Sequence, residues 1–328
     1  MKIAINGFGR IGRAVAKIVT EREGIELVAI NDLTDVKTLA HLLKYDTSFG
    51  VWGHEVGHDE GDIIIDNRRI HSYAEKDPSA LPWSELQIDV VIECTGRFLT
   101  KEACQPHLDA GAKKVVMSAP PKDDTPMYVM GVNAGDYKGE NVISNASCTT
   151  NCITPVMKVL EDTFGIEKSL MTTIHSYTAD QNLVDGPHDD LRRARAAACN
   201  IVPTSTGAAK AAFKTIPSLK GKFEGLAVRV PTPVVSLSDI TLILNREVSI
   251  EEVNDAFKKA ERGHMKGILA TTEEPIVSSD LKGTKVSTTV DLPLTQVIGN
   301  LVKVIAWYDN EWGYSERLVD VTMMAGNK

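Results

Sequence analysis

An α/β architecture is predicted: a doubly wound parallel sheet joined to an α+β unit with a largely antiparallel sheet. Three observations carry this. Short apolar runs alternate with helical stretches through the first half. A glycine-rich turn sits directly after the first run. The second half carries hairpin signals instead. A chain of 328 residues holds about two domains at roughly 150 residues each.

The elements follow in order. Lys2 to Asn6 is a short apolar run, and a helical stretch continues to about Arg22. Glu26 to Asn31 is the next strand and Val36 to Leu43 the next helix. Asp89 to Glu93 and Lys114 to Met117 are buried-strand candidates, separated by a helical stretch over 100–110. In the second half, Leu226 to Val230 and Ile240 to Leu244 read as strands. Thr295 to Val304 reads as a hairpin with Gly299-Asn300 at its tip. Between them lies one clear helix: Ser249 and Glu252 form a capping box, Val253, Ala256, Phe257 and Ala260 make its apolar stripe, and Gly263 ends it.

Hydrophobic content of 43% and charged content of 24% are those of an ordinary globular chain. A net charge of −8 disfavours broad nucleic-acid or anionic-membrane binding and leaves room for a local basic pocket. The five cysteines are odd in number and sparse, which argues against a disulfide framework and for a reducing compartment. No apolar stretch reaches the roughly 18 residues that span a bilayer. The expected location is the cytoplasm. The sequon Asn145-Ala146-Ser147 reads as coincidence without a secretory signal.

Gly7-Phe8-Gly9-Arg10-Ile11-Gly12 is G-x-G-x-x-G, a weak signal alone. Here it follows a strand, opens a helix, and has Asp32 twenty residues after Gly12 at the end of the next strand. That context is the dinucleotide fingerprint of the Rossmann fold. Gly7 permits the tight turn, Gly9 lets backbone approach a pyrophosphate, and Gly12 lets helix and strand pack closely. Asp32 can accept from both ribose hydroxyls and repels a 2′-phosphate, so the expected cofactor is NAD. The bland alternative is a glycine-rich turn with no ligand.

Ser147-Cys148-Thr149-Thr150-Asn151-Cys152 precedes a helical stripe of Ile153, Val156, Val159 and Leu160. This places Cys148 at a helix N-terminus, where a thiolate is stabilised, and Cys152 one turn inside as a packed thiol. The expected pKa of Cys148 is well below that of a free thiol, aided by an imidazolium. His175 is a candidate base for it, and from spacing alone a structural histidine reads equally well. Arg192, Arg193, Arg195 and Arg229 are candidate phosphate hosts, against a solvated charge run for the first three and a structural ion pair for Arg229. Thr204-Ser205-Thr206-Gly207 is an anion cradle or a polar loop.

His54-Glu55-Val56-Gly57-His58 matches the zinc motif H-E-x-x-H. That chemistry needs both histidines on one helical face. Gly50, Gly53, Gly57 and Gly61 surround the motif, so a loop or turn is expected there and no metal.

Six segments together resemble the phosphorylating glyceraldehyde-3-phosphate dehydrogenases over essentially the whole chain. They are Ile5 to Arg13, Ala146 to Cys152 (ASCTTNC), Asp185 to Ala197, Pro203 to Lys210, Arg229 to Pro233, and Trp307 to Ser315 (WYDNEWGYS). The resemblance implies Cys148 as nucleophile and His175 as its partner. It implies Thr178 and Arg229 near the substrate phosphate. Ser147, Thr149, Thr206, Gly207 and Arg193 would serve a second anion, inorganic phosphate, with Arg229 open to sharing between the two. For NAD it implies Arg10, Ile11, Asp32, Lys76, Ser118 and Asn310. It further implies a glycolytic homotetramer in which residues 1–147 bind NAD, residues 148–311 carry catalysis, and a C-terminal helix at 312–328 returns to the first domain. Pro121 and Val234 depart from the commonest family pattern. The rival readings are an erythrose-4-phosphate dehydrogenase and a non-catalytic binding protein on the same fold.

Overall fold

The computed structural model describes residues 1–328. The chain forms two compact units. One comprises Met1–Tyr128, Ala134–Ala146 and Ser315–Lys328; the other comprises Val129–Asn133 and Ser147–Tyr314.

The first unit is built on an eight-stranded sheet. Its spatial order is Val142–Ser144, Lys114–Met117, Val90–Glu93, Lys2–Asn6, Glu26–Asn31, Arg68–Tyr73, Asp62–Ile65 and Val56–His58. The first six strands are parallel, and the last two add an antiparallel edge. Ile3, Ala4, Ile5, Val90, Val91 and Ile92 are fully buried, as expected of strands covered on both faces. Strand order reverses between Lys2–Asn6 and Val90–Glu93, the switch point where ligands bind in open α/β sheets. The helix Arg10–Thr20 follows the glycine turn. The C-terminal helix Trp312–Gly326 contributes its length from Ser315 onward to this unit, and Glu316 and Asp320 both pair with Arg22.

Residues 54–62 differ from expectation. Val56–His58 is a strand, not a loop, paired antiparallel with Asp62–Ile65. Backbone pairing with Asp62–Ile65 overrides the low intrinsic strand preference of Gly57. His54 bonds Asp66 through Nδ1. No group of three or more His, Cys, Asp or Glu side chains is placed to hold a metal ion.

The second unit is built on a sheet ordered Val202–Ser205, Phe223–Val230, Ile166–Ser176, Ser236–Leu244, Leu301–Tyr308, Thr288–Asp291 and Leu269–Thr272, with Gln296–Ile298 also paired to Leu301–Tyr308. Two pairs are parallel and the others antiparallel. The helices Cys148–Phe164, Ala208–Thr215 and Ile250–Arg262 carry the apolar residues that close its core, including Ile153, Val156, Leu160, Ala212, Val253 and Phe257 against Ile240, Leu242, Val302 and Val304. The Ser249–Glu252 capping box is present in both directions. All five cysteines are free thiols. No helix is long and apolar enough to cross a membrane.

Candidate active site

Cys148 is the first residue of the helix Cys148–Phe164. Ser147 caps that helix: its Oγ accepts from the Thr150 amide at 3.0 Å. Cys152, one turn on, is fully buried, with Sγ 3.4 Å from the Thr288 hydroxyl. Burial pushes its thiol up to about 12, so it is a packed group and not a nucleophile. Two residues in the left-handed region sit beside the site in sequence. Ala146, at φ 56, precedes Ser147, and Val235, at φ 71, precedes Ser236. Strain of this kind collects at functional sites.

His175 comes from the strand Ile166–Ser176. Its Nε2 lies 3.5 Å from Cys148 Sγ. Its Nδ1 lies 2.7 Å from the Ser176 carbonyl oxygen. A carbonyl only accepts, so Nδ1 carries the proton and Nε2 of the neutral ring presents a lone pair to the thiol. Tyr308 packs edge-on to the imidazole, and its hydroxyl bridges Thr149 and Thr173 at 3.0 and 2.8 Å.

The electrostatics correct one expectation. Burial pushes the Cys148 thiol up, with the Arg229 guanidinium and helix N-terminal hydrogen bonds opposing it. Burial and Arg229 push His175 down to about 3. An imidazolium standing beside a neutral thiol is therefore disfavoured. Each group resists ionising alone, whereas moving the proton from Sγ to Nε2 creates opposite charges that stabilise each other.

Arg229 sits beside His175 in strand register. Its Nη1 donates to Thr178 Oγ1 at 3.0 Å and to the Ser176 carbonyl at 3.2 Å, and its buried Nε has no partner. It forms no carboxylate pair, so the structural ion-pair reading fails for it. Arg193 is held by Thr204 Oγ1, by the Ser205 carbonyl, and by Asp180 at 2.6 Å. Arg195 instead pairs with Asp185 at the surface. Thr206 Oγ1 accepts from the Ala208 amide at the start of the helix Ala208–Thr215, whose N-cap is Gly207. Thr149 is nearly fully buried, with its hydroxyl on Tyr308. Asn310 is buried too, and its Oδ1 accepts from Ser176 and Ser236. Asp180, Tyr308 and Ser236 were not anticipated. Asp180 lies two residues after Thr178, and Tyr308 lies inside the WYDNEWGYS segment, so both were within reach of a residue-by-residue reading.

In the first unit, a crevice of about 390 Å³ is lined by Asn6, Gly7, Gly9, Asn31, Asp32, Lys76 and Thr95, among others. Its glycines fit a dinucleotide. A Cβ on Gly7, at φ 92, would lie 2.7 Å from the Thr95 nitrogen, and one on Gly12 would lie 2.2 Å from the Gly7 carbonyl oxygen. A Cβ on Gly9 would meet nothing within 4 Å, so that backbone is open to a ligand. The helix Arg10–Thr20 has no side-chain cap, which leaves its N-terminal amides available to phosphate. Asp32 accepts the Phe8 amide at 2.7 Å and the Thr34 amide at 3.0 Å, one on each oxygen. A lone pair on each remains for ribose hydroxyls. Arg10 reaches elsewhere, to Asp46 at 2.6 Å. The Ser118 side chain bonds Cys94, a lining residue, and its amide donates to the Glu93 carbonyl.

Comparison with known proteins adds the following. Residues 1–101 match the profile of the glyceraldehyde 3-phosphate dehydrogenase NAD binding domain, and residues 147–310 match that of the C-terminal domain. The chain is 54% identical over 330 residues to glyceraldehyde-3-phosphate dehydrogenase 1 of Bacillus cereus, and 53% identical over 331 residues to the Geobacillus stearothermophilus enzyme. In both cases all of this chain and 99% of the relative are covered.

Proposed function

We infer the chemistry from one premise: the chain belongs to the glyceraldehyde-3-phosphate dehydrogenase family and is an NAD-binding enzyme of that activity. The observation that carries the residue assignments is the 3.5 Å approach of His175 Nε2 to Cys148 Sγ, with Sγ at a helix N-terminus. Sγ adds to the aldehyde carbon of glyceraldehyde 3-phosphate as Nε2 takes the thiol proton, and a thiohemiacetal forms. Nε2 returns the proton to the new oxygen and withdraws it again as that carbon is oxidised to a thioester. NAD, when bound, supplies the hydride acceptor. Inorganic phosphate then attacks the thioester carbon, and Cys148 leaves as thiolate, releasing the acyl phosphate 1,3-bisphosphoglycerate. The thioester conserves oxidation energy that direct hydrolysis would lose.

NAD is assigned to the crevice, with Gly7, Gly9, Gly12, Asp32 and Lys76 holding it and Arg10, Ile11, Ser118 and Asn310 as the remaining family positions. Thr178 and Arg229 are assigned to the substrate phosphate. Ser147, Thr149, Arg193, Thr206 and Gly207 are assigned to the attacking one. The Ser147 hydroxyl is shared with Thr150 and the Thr149 hydroxyl with Tyr308, and the backbone amides at this helix N-terminus add to what they offer the anion. A homotetramer is supported by two apolar surfaces of the second unit. One is the sheet face with Leu170, Leu226 and Leu301 exposed, and the other is the 181–201 loop with Leu183, Val184 and Leu191 exposed. The free thiols support a reducing compartment such as the cytoplasm. A steady-state assay of NADH formation from glyceraldehyde 3-phosphate, with and without phosphate, tests the reaction. A competition with erythrose 4-phosphate by kcat/KM tests the substrate, and light scattering tests the assembly.

A further inference from the structure

A buried carboxylate lies behind the dinucleotide crevice. Glu93 ends the strand Val90–Glu93 and is 1% exposed. Its neighbours in register are strand ends as well: Asn6 pairs with Glu93 on one side and with Asn31 on the other. Three hydrogen-bond donors converge on Glu93. Asn6 Nδ2 donates to Oε2 at 2.6 Å, and the Thr95 amide donates to Oε1 at 2.7 Å. The Thr95 hydroxyl also bonds Oε1, and His107 Nε2 lies 3.4 Å from Oε2. His107 is itself fully buried, and its Nδ1 accepts from the indole Nε1 of Trp83 at 3.0 Å. An indole only donates, so His107 keeps its proton on Nε2, which lies 3.2 Å from Asn6 Nδ2 and 3.4 Å from Glu93 Oε2.

Such a site demands a group that accepts everywhere and donates nowhere, which is a carboxylate. A buried charge is seldom kept for stability alone. What this one holds lines the crevice. Asn6 Oδ1 accepts from Asn31 Nδ2 at 2.7 Å, and Asn31 Oδ1 accepts the Glu75 amide at 2.8 Å. Thr95, fixed by Glu93, supplies the peptide against which Gly7 rests with no room for a Cβ. Asn6, Gly7, Asn31, Glu75 and Thr95 all line the crevice, and Glu93 itself does not. We propose that Glu93 is a positioning residue for NAD: by binding Asn6 and Thr95 it sets the ends of adjacent strands, and so the height of the glycine turn on which the pyrophosphate rests.

The proposal rests on NAD occupying this crevice, so the parent enzyme is titrated alongside each variant. Glu93→Gln keeps the size and turns one acceptor into a donor that opposes either Thr95 or Asn6. Calorimetric titration with NAD, well below the melting temperature, is expected to show Kd raised about tenfold or more. The kcat at saturating NAD and the iodoacetamide reactivity of Cys148 without NAD should stay within about twofold. A folded Glu93→Gln enzyme with parental NAD affinity would overturn the proposal, as would a loss confined to kcat. Should Glu93→Gln not fold, Trp83→Phe carries the test, because it removes the donor that fixes the His107 tautomer, together with part of a buried ring, away from the crevice. A severalfold weaker NAD Kd with kcat retained supports the positioning role, and an unchanged Kd refutes it.

Discussion

His175 donates its Nδ1 proton to the Ser176 carbonyl at 2.7 Å, which leaves Nε2 as the acceptor 3.5 Å from Cys148 Sγ. Ser176 follows His175 directly, so the strand that delivers the ring also sets its tautomer. The pair shares one proton. Gaining a second is resisted because burial and Arg229 hold His175 down to about 3. Losing the one is resisted because burial pushes the thiol up. The protonation state of the pair is therefore constant across a wide window, and the two titrations belong to the pair.

The first prediction is a pH profile. Inactivation by iodoacetamide should change little between about pH 5.5 and 8, with no inflection near 6.5, the value of a free imidazole. On the acid side the rate should fall only when the pair takes its second proton, below that value. His175→Asn removes the proton acceptor, so alkylation at neutral pH should slow and kcat should fall about 10²-fold or more. A full inflection at about 6.5 in the parent would mean that His175 titrates as an exposed ring.

Gly12 gives the second. A Cβ there would lie 2.2 Å from the Gly7 carbonyl oxygen, which is backbone and cannot rotate away. Gly12→Ala must push the helix Arg10–Thr20 off the strand Lys2–Asn6. Overpacking of this kind costs about 1–3 kcal/mol. NAD affinity should fall at least tenfold by calorimetry, and Tm should drop. Cys148 alkylation without NAD should persist, since Cys148 belongs to the other unit. Parental NAD binding by this variant would show that the turn is not the pyrophosphate seat.

Asp32 decides the third. Its carboxylate accepts the Phe8 amide of the glycine turn, so it orders the loop while keeping lone pairs for the ribose. Asp32→Gly should lower kcat/KM for NAD about tenfold, the loss of a charge-assisted hydrogen bond of roughly 1.5–3 kcal/mol. The NADP to NAD ratio should rise, because the repulsion of a 2′-phosphate is gone. Equal kcat/KM for the two cofactors in the parent would show that Asp32 does not discriminate them.

Legibility in the sequence followed locality. The glycine turn, Asp32 and the Cys148 helix were readable because their signals lie within a few residues of the groups they position. The strand Ile166–Ser176 is not legible although it is an interior strand and carries His175. Its polar Ser169, Thr172 and Thr173 break the apolar pattern, and Ser169 and Thr173 are buried with hydroxyls bonded to the neighbouring strand Ser236–Leu244. The Arg68–Tyr73 and Asp62–Ile65 strands were hidden by the glycines before them. The hold of Asp180 on Arg193, and of Glu93 on Asn6, joins residues 13 and 87 apart in sequence. Pairings of that range leave no local periodicity to read.

The last prediction concerns the anions, because it separates this reaction from simple aldehyde oxidation. The substrate carries one phosphate and the attacking nucleophile is another. Two dianions near one thioester repel unless cations host them. In the second unit, Arg193 already bears the Asp180 carboxylate, whereas Arg229 bears none and has an unpartnered Nε. Arg229 also steadies the Cys148 thiolate and opposes protonation of His175. Arg229→Leu should therefore raise KM for glyceraldehyde 3-phosphate, for phosphate or for both, with kcat/KM down about tenfold or more, since one guanidinium contact is worth roughly 1.5–3 kcal/mol. NAD affinity should be nearly unchanged. Alkylation of Cys148 should slow as well, because the thiolate loses a neighbouring cation, and this links the anion site to the nucleophile in one variant. Arsenate should replace phosphate, being a similar tetrahedral anion. Sustained full-rate turnover in buffer free of both anions would mean that water resolves the thioester, and that the second anion assignment is wrong.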